Sequence, residues 1–253
     1  MRVFIGGSKS ISSLPDSATL KLRKLIDAQA EFIIGDCYGA DCAVQRYFAA
    51  AGYRNVTVYY TGARARNNVG NYAQINVPSS YEAASMFEYR RSKDIRMELE
   101  CDSGFMIWDG TSKGTLQNII DLTAMHKYVL VCRGDTVCEC SKTEIGRLLV
   151  KNQTTISLWL DDIREAPADF IRTRSVYEAE MLIECAEEFG IEIAKIDCDH
   201  DLGQYAPLGG DGIKLIDWLA ERKTFYRIAL HTMNPVGREN MQREIDRYWK
   251  NKV

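Results

Sequence analysis

The sequence predicts an α/β protein made of two Rossmann-like or flavodoxin-like three-layer domains with mainly parallel sheets. Three observations predict it. Short apolar runs rich in Val, Ile, Phe and Tyr alternate with stretches of helical periodicity, the pattern of strand, crossover helix and strand. Each strand-like run ends in glycine or a carboxylate. The alternation weakens between Gly134 and Thr155 and starts afresh at "ISLWLDD". A chain of 253 residues, 46% hydrophobic and 26% charged, is long enough for two domains of ordinary size.

Taken in order, "RVFIGG" is a first strand closing in a glycine turn, and "SATLKLRKLIDAQ" sets Leu20, Leu22, Leu25 and Ile26 at near-helical spacing. "EFIIGDCYGAD" is a second strand with its turn, and "ADCAVQRYFAAAG" a helix closed by Gly52. "NVTVYYTG", "SGFMIWDG" and "KYVLVCRG" follow as the third, fourth and fifth strands. The domains predicted are 1–133 and 156–253, with 134–155 a linker carrying the short helical piece "KTEIGRLLVK".

Composition excludes several classes. A net charge of −3 gives no global case for nucleic acid. No apolar run approaches the ~18 residues that a membrane helix requires, and the opening "MRVFIGG" has no leader pattern, so a cytoplasmic protein without a membrane partner is expected. Eight cysteines are scattered, and the close pairs Cys37/Cys42 and Cys138/Cys140 lack the second half of a zinc pattern, which predicts reduced thiols. A homo-oligomer stays open.

The first half holds three glycine-rich turns, "GGSKS", "GDCYGAD" and "DGTSKGT", each directly after a strand. Glycine lets the backbone approach a phosphate and aim amides at it, and a following helix adds its positive N-terminal end. Lys9, Arg90, Arg91 and Lys113 are cations able to neutralise phosphate there. Together "GGSKS", "GDCYGADCAV", "RRSKDIRM" and "WDGTSKGT" resemble the SLOG superfamily, the Rossmann-like group that includes Lonely Guy proteins and DNA-processing protein A, over residues 1–133. The resemblance implies a nucleotide or nucleotide-derived ligand at Gly6, Gly7, Ser8, Gly35, Asp36, Gly39, Asp41, Arg91, Gly110, Ser112, Gly114 and Thr115. Lonely Guy enzymes cleave nucleoside monophosphates with a glutamate shortly after the Gly-Thr of the last turn. Here "GTLQN" puts Gln117 and Asn118 there, neither of which can act as a carboxylate.

In the second half, polar residues collect at strand ends: Asp161 and Asp162 after "ISLWL", Asp197, Asp199, His200 and Asp201 in "IDCDHDLG", and His231, Thr232 and Asn234 in "RIALHTMNP". Such ends converge on one crevice in a parallel sheet. Clustered carboxylates must stay hydrated or be offset by a cation or by partial protonation, and two or three of them with waters make the incomplete oxygen coordination that suits Mg²⁺, with Mn²⁺ as a substitute. "LDDIR", "DHDLG", "GGDGIKLIDWL" and "HTMNPVGRENM" resemble the cyclic-phosphate processing receiver family over residues 156–253. A phosphorelay receiver carries lysine before the last strand's proline; this chain has Asn234 before Pro235 and histidines at 200 and 231. The resemblance implies metal-dependent hydrolysis of a cyclic phosphate or related phosphoester, with Asp161, Asp162 and Asp199 as metal ligands. His200 or His231 would carry protons, Thr232 and Asn234 would donate to the phosphate, Arg164 would offset charge, and Asp199 and Asp201 complete the acidic turn. The alternatives are a non-catalytic nucleotide-messenger sensor with a receiver-like output domain, and a nucleoside monophosphate N-glycosidase using Asp36, Asp41 or Asp109.

Overall fold

Val3 and Ile5 face one side of the first strand, β1 (Arg2–Gly7), and Phe4 the other, and all three are buried, as a strand covered by helices on both faces requires. The computed structural model describes residues 1–79, 85–150, 153–250 and 252, and the chain divides into two compact units, Met1–Ser141 and Lys142–Val253. Among the described residues there are eight α-helices and two mainly parallel sheets.

In the first unit β1 is followed by α1 (Asp16–Asp27), β2 (Glu31–Gly35), α2 (Ala40–Ala50), β3 (Val56–Tyr60) and β4 (Ala73–Asn76). Then come α3 (Met86–Glu100), β5 (Ser103–Ile107), α4 (Lys113–Ala124), β6 (Tyr128–Arg133) and β7 (Thr136–Glu139). The sheet order is β4-β3-β2-β1-β5-β6-β7, with only β7 antiparallel. Chain order reverses between β1 and β5, so the loops after these strands part and leave a crevice at their carboxyl ends. Leu22 and Leu25 of α1 and Val44 and Phe48 of α2 pack with Val3, Ile5, Phe32 and Ile34 into one core on the first face.

The second unit runs α5 (Lys142–Val150), β8 (Thr155–Leu160), β9 (Ile171–Thr173), α6 (Val176–Phe189), β10 (Glu192–Cys198), α7 (Ile213–Arg222), β11 (Ile228–Leu230) and α8 (Pro235–Tyr248). Its parallel strands are ordered β11-β10-β8-β9, which puts the reversal between β8 and β10. Ile156, Leu158 and Leu160 join Leu182, Leu215 and Met241 in its core. The β8–β10 register shifts between Ile193 and Lys195, and beyond that bulge Ile196 and Cys198 enter the core while Asp197 takes the opposite side. Ser175 caps α6 by accepting the Glu178 N–H, and Gly190 ends it in the left-handed conformation, φ 68°.

The strands expected from the sequence form, but three short edge or near-edge strands, β4, β7 and β9, were not legible. The stretch 134–155 is divided between the units: β7 pairs with β6, and α5 packs on α6. None of the eight cysteines forms a disulfide among the described residues. Among the described residues no helix is long and apolar enough to cross a membrane.

Candidate functional site

Three loops at the carboxyl ends of β8, β10 and β11 bring Asp161, Asp199 and His231 together, with one ligand atom of each lying within 4.8 Å of the others. Asp161 is fixed by its own loop, its Oδ1 accepting the N–H groups of Ile163 (2.9 Å) and Arg164 (2.5 Å). His231 is fixed twice. Its Nδ1 lies 2.9 Å from Asp197 Oδ1, and its ring stacks on Trp159 with centroids 3.6 Å apart and planes 5° from parallel. Its other ring nitrogen, Nε2, lies 3.1 Å from Asp161 Oδ2. A carboxylate behind the far nitrogen of an imidazole is the usual support of a metal-binding histidine. Two carboxylates and this imidazole therefore fit a divalent cation in the chemistry of their donor atoms.

The place already demands positive charge. The Arg164 guanidinium reaches all three loops: Nε donates to Asp161 Oδ2 (2.6 Å), Nη2 to Asp199 Oδ2, and Nη1 to the His231 carbonyl oxygen (3.0 Å). Burial raises the Asp161 pKa, but hydrogen bonds from His231 and from the backbone of Arg164 and Ile163 outweigh it and hold the group below its ordinary value. Burial likewise lowers Arg164, and the charges of Asp161 and Asp199 more than restore it. Asp162 is buried next in sequence and its carbonyl oxygen accepts from Arg172, but it is not one of the three clustered ligands; His231 stands there instead.

A second chain of contacts borders the first. Asn234 caps α8 by accepting the Gly237 N–H (2.9 Å), and its Nδ2 donates to both oxygens of Asp201 at 3.1 and 3.2 Å. Asp201 in turn lies 2.8 Å from His200 Nδ1, and that hydrogen bond holds its pKa below the ordinary value. This contact selects the neutral tautomer whose Nδ1–H donates to Asp201 and whose lone pair is on Nε2. The amide of Asn234, read from the sequence as a phosphate donor, is occupied in capping and in holding Asp201. Thr232 Oγ1 accepts the Asn234 N–H (3.2 Å), so its own proton remains available to donate.

In the first unit a cavity of about 340 Å³ opens at the switch between β1 and β5. Of the residues expected there, Gly6, Gly7, Gly35 and Asp41 line it, as do Arg91, Ser112, Gly114 and Thr115. Four do not. Ser8 accepts the Asp109 N–H (3.0 Å), Asp36 is bound by the Arg66 guanidinium, Gly39 (φ 81°) lies against the Lys9 backbone, and Gly110 (φ 85°) lies beside Arg133. Arg91 lines the wall, but its charge is met by Glu98 (3.0 Å), Asp121 and Asn118. Gln117 donates to Asp121 (2.9 Å), so the pair at the Lonely Guy glutamate position belongs to this buried network. Lys9 and Arg90 also line the cavity, and neither makes a side-chain hydrogen bond or ion pair among the described residues. Sequence reading missed Lys93, which shares one face of α3 with Phe87, Arg90 and Met97 at helical spacing. Lys93 is buried beside Gly35 and Asp41; burial raises Asp41 to about 7 even though the Lys93 charge opposes it.

Sheet order, strand-end carboxylates and the half-buried His231 define the second unit as a receiver-like α/β domain. Residues 156–247 match the family model of the cyclic-phosphate processing receiver domain. No curated protein and no solved structure matches the chain. The family match does not reach the first unit, whose SLOG likeness rests on its motifs.

Proposed function

We propose that the second unit hydrolyses a cyclic phosphate or related phosphoester with a divalent cation, Mg²⁺ or Mn²⁺, and that the first unit binds a nucleotide-derived ligand. The carrying observation is the convergence of Asp161, Asp199 and His231, with Asp197 behind the histidine. A cation held there supplies Lewis-acid polarisation of a phosphoryl oxygen and acidifies a bound water. The chain's own residues do the rest. His200 Nε2 takes the proton of the attacking water as the new P–O bond forms, with Asp201 and Asn234 orienting the ring. One ring P–O bond breaks, and the leaving alkoxide receives the proton that His200 took from the water, passed on directly or through solvent, giving a monoester. Thr232 donates to a phosphate oxygen. Asp162, beside the three ligands, completes the acidic surroundings of the cation.

The first unit's role is supported by Lys9 and Arg90, two cations without a side-chain partner among the described residues, in a cavity edged by glycine turns. Binding is favoured over glycoside cleavage because Gln117 and Asn118 are engaged in the Arg91–Asp121 network.

Incubation with a panel of cyclic nucleotides and ADP-ribose cyclic phosphates in Mg²⁺, Mn²⁺ or EDTA, followed by mass spectrometry, tests the reading. Addition of water to one class, abolished by EDTA and by Asp199→Asn, is expected. Turnover that survives EDTA would overturn the metal-dependent mechanism, and no turnover of any cyclic phosphate would leave the sensor alternative in its place.

A further inference from the structure

We propose that Arg164 has two partners in turn: in the metal-free protein its guanidinium is the counter-ion of Asp161 and Asp199, and a divalent cation displaces it onto the phosphate of the substrate. The inference rests on the metal reading above and gives its arginine a specific part.

The geometry carries it in three steps. First, Nε is 2.6 Å from Asp161 Oδ2 and Nη2 is bound to Asp199 Oδ2, so the guanidinium holds the two carboxylates that are also clustered as ligands. Mg²⁺ takes oxygens at about 2.1 Å, and a guanidinium cannot remain between carboxylates drawn in to that distance. Second, Arg164 is free to move whereas its partners are not: its side chain is 40% exposed against 1% for Asp161 and 11% for Asp199. Third, its displacement has a direction. Nη1 is bound to the His231 carbonyl oxygen at 3.0 Å, at the carboxyl end of β11 immediately before Thr232. A guanidinium released from the carboxylates but tethered there presents its fork where Thr232 would meet a phosphate, and that planar fork matches phosphate oxygens in pairs.

A purely structural arginine would behave otherwise: its removal would loosen the three loops and weaken metal binding. Arg164→Gln in the full chain separates the two. Calorimetric titration with Mn²⁺ should show binding about tenfold tighter than wild type, the effect of removing one competing charge-assisted contact. The metal-free variant should melt at lower temperature, because the carboxylates have lost their counter-ion. Inorganic phosphate should bind the Mn²⁺-loaded variant several-fold more weakly than Mn²⁺-loaded wild type. Mn²⁺ affinity equal to or below that of wild type overturns the proposal while leaving the metal reading intact. Absence of Mn²⁺ binding to both proteins ends both. Should Arg164→Gln not fold, Arg164→Lys serves: it keeps a counter-ion for the carboxylates but loses the fork, so the Mn²⁺-loaded variant must bind inorganic phosphate several-fold more weakly than Mn²⁺-loaded wild type, and undiminished phosphate affinity overturns the proposal.

Discussion

Asp197 does not belong to the three clustered ligands, yet metal binding at them should depend on it. Asp197 Oδ1 fixes His231 through Nδ1 at 2.9 Å, while Oδ2 accepts from Lys195 Nζ at 2.6 Å. In Asp197→Asn the shape is kept, but a neutral amide replaces the carboxylate, and if its oxygen stays on His231 its NH₂ faces the Lys195 ammonium. Two charge-assisted contacts are weakened, one of them half-exposed, and the metal-free protein should lose about 1–2 kcal/mol. The effect on metal is larger in kind. Loss of a carboxylate behind a ligating histidine typically costs 10–100-fold in affinity, or about 1.4–2.8 kcal/mol. Isothermal titration with Mn²⁺ measures this directly, and near-UV circular dichroism reports whether the Trp159–His231 stack survives. An unchanged Mn²⁺ affinity with the stack intact would refute the claim that His231 ligates through Nε2 under the control of Asp197.

Burial lifts Asp41 from 3.8 to about 7, so the folded protein holds a proton that the unfolded chain has lost. The Asp41 contribution to stability should therefore be largest at acid pH and fall as pH rises from about 4 to 7, by on the order of 4 kcal/mol for a shift of roughly three units. Asp41→Asn should flatten this slope in urea titrations, and identical slopes in both proteins would contradict the assignment. A Cβ at Gly114 meets nothing within 4 Å, so Gly114→Val should fold normally while its side chain projects into the cavity. Adenosine monophosphate affinity should fall, and unchanged affinity would move the ligand elsewhere. We propose that the two units fold independently: a 142–253 fragment should unfold cooperatively on its own, and a fragment without a transition would show that it depends on the rest of the chain.

The central strands were legible because burial on both faces forces continuous apolar runs such as "EFIIG" and "SGFMI". The short strands were not. All four residues of β4 are exposed, and β9 has only three residues, too few for a period to show. Carboxylates at strand ends announced the site, but their partition did not show in the sequence. His231 meets Asp161 because the bulge after Ile193 turns Asp197 out of the core, a backbone event without a residue signature. Arg164 stands only three residues from Asp161, yet its reach to Asp199 depends on β8 and β10 being neighbours. In the first unit the glycine turns marked the crevice, while Arg91 was drawn into a buried network by Glu98 and Asp121, acidic residues outside any of its motifs.

In the proposed reaction a cation bound by Asp161, Asp199 and His231 drives hydrolysis of a cyclic phosphate. Phosphorus NMR of a cyclic nucleotide that the protein turns over, followed as Mg²⁺ is titrated into metal-stripped protein, tests it most directly. The cyclic resonance should convert to a monoester resonance at a rate that saturates with the Mg²⁺ affinity measured by calorimetry, and should not convert with Asp161→Asn. A rate independent of Mg²⁺, or undiminished in Asp161→Asn, would contradict it.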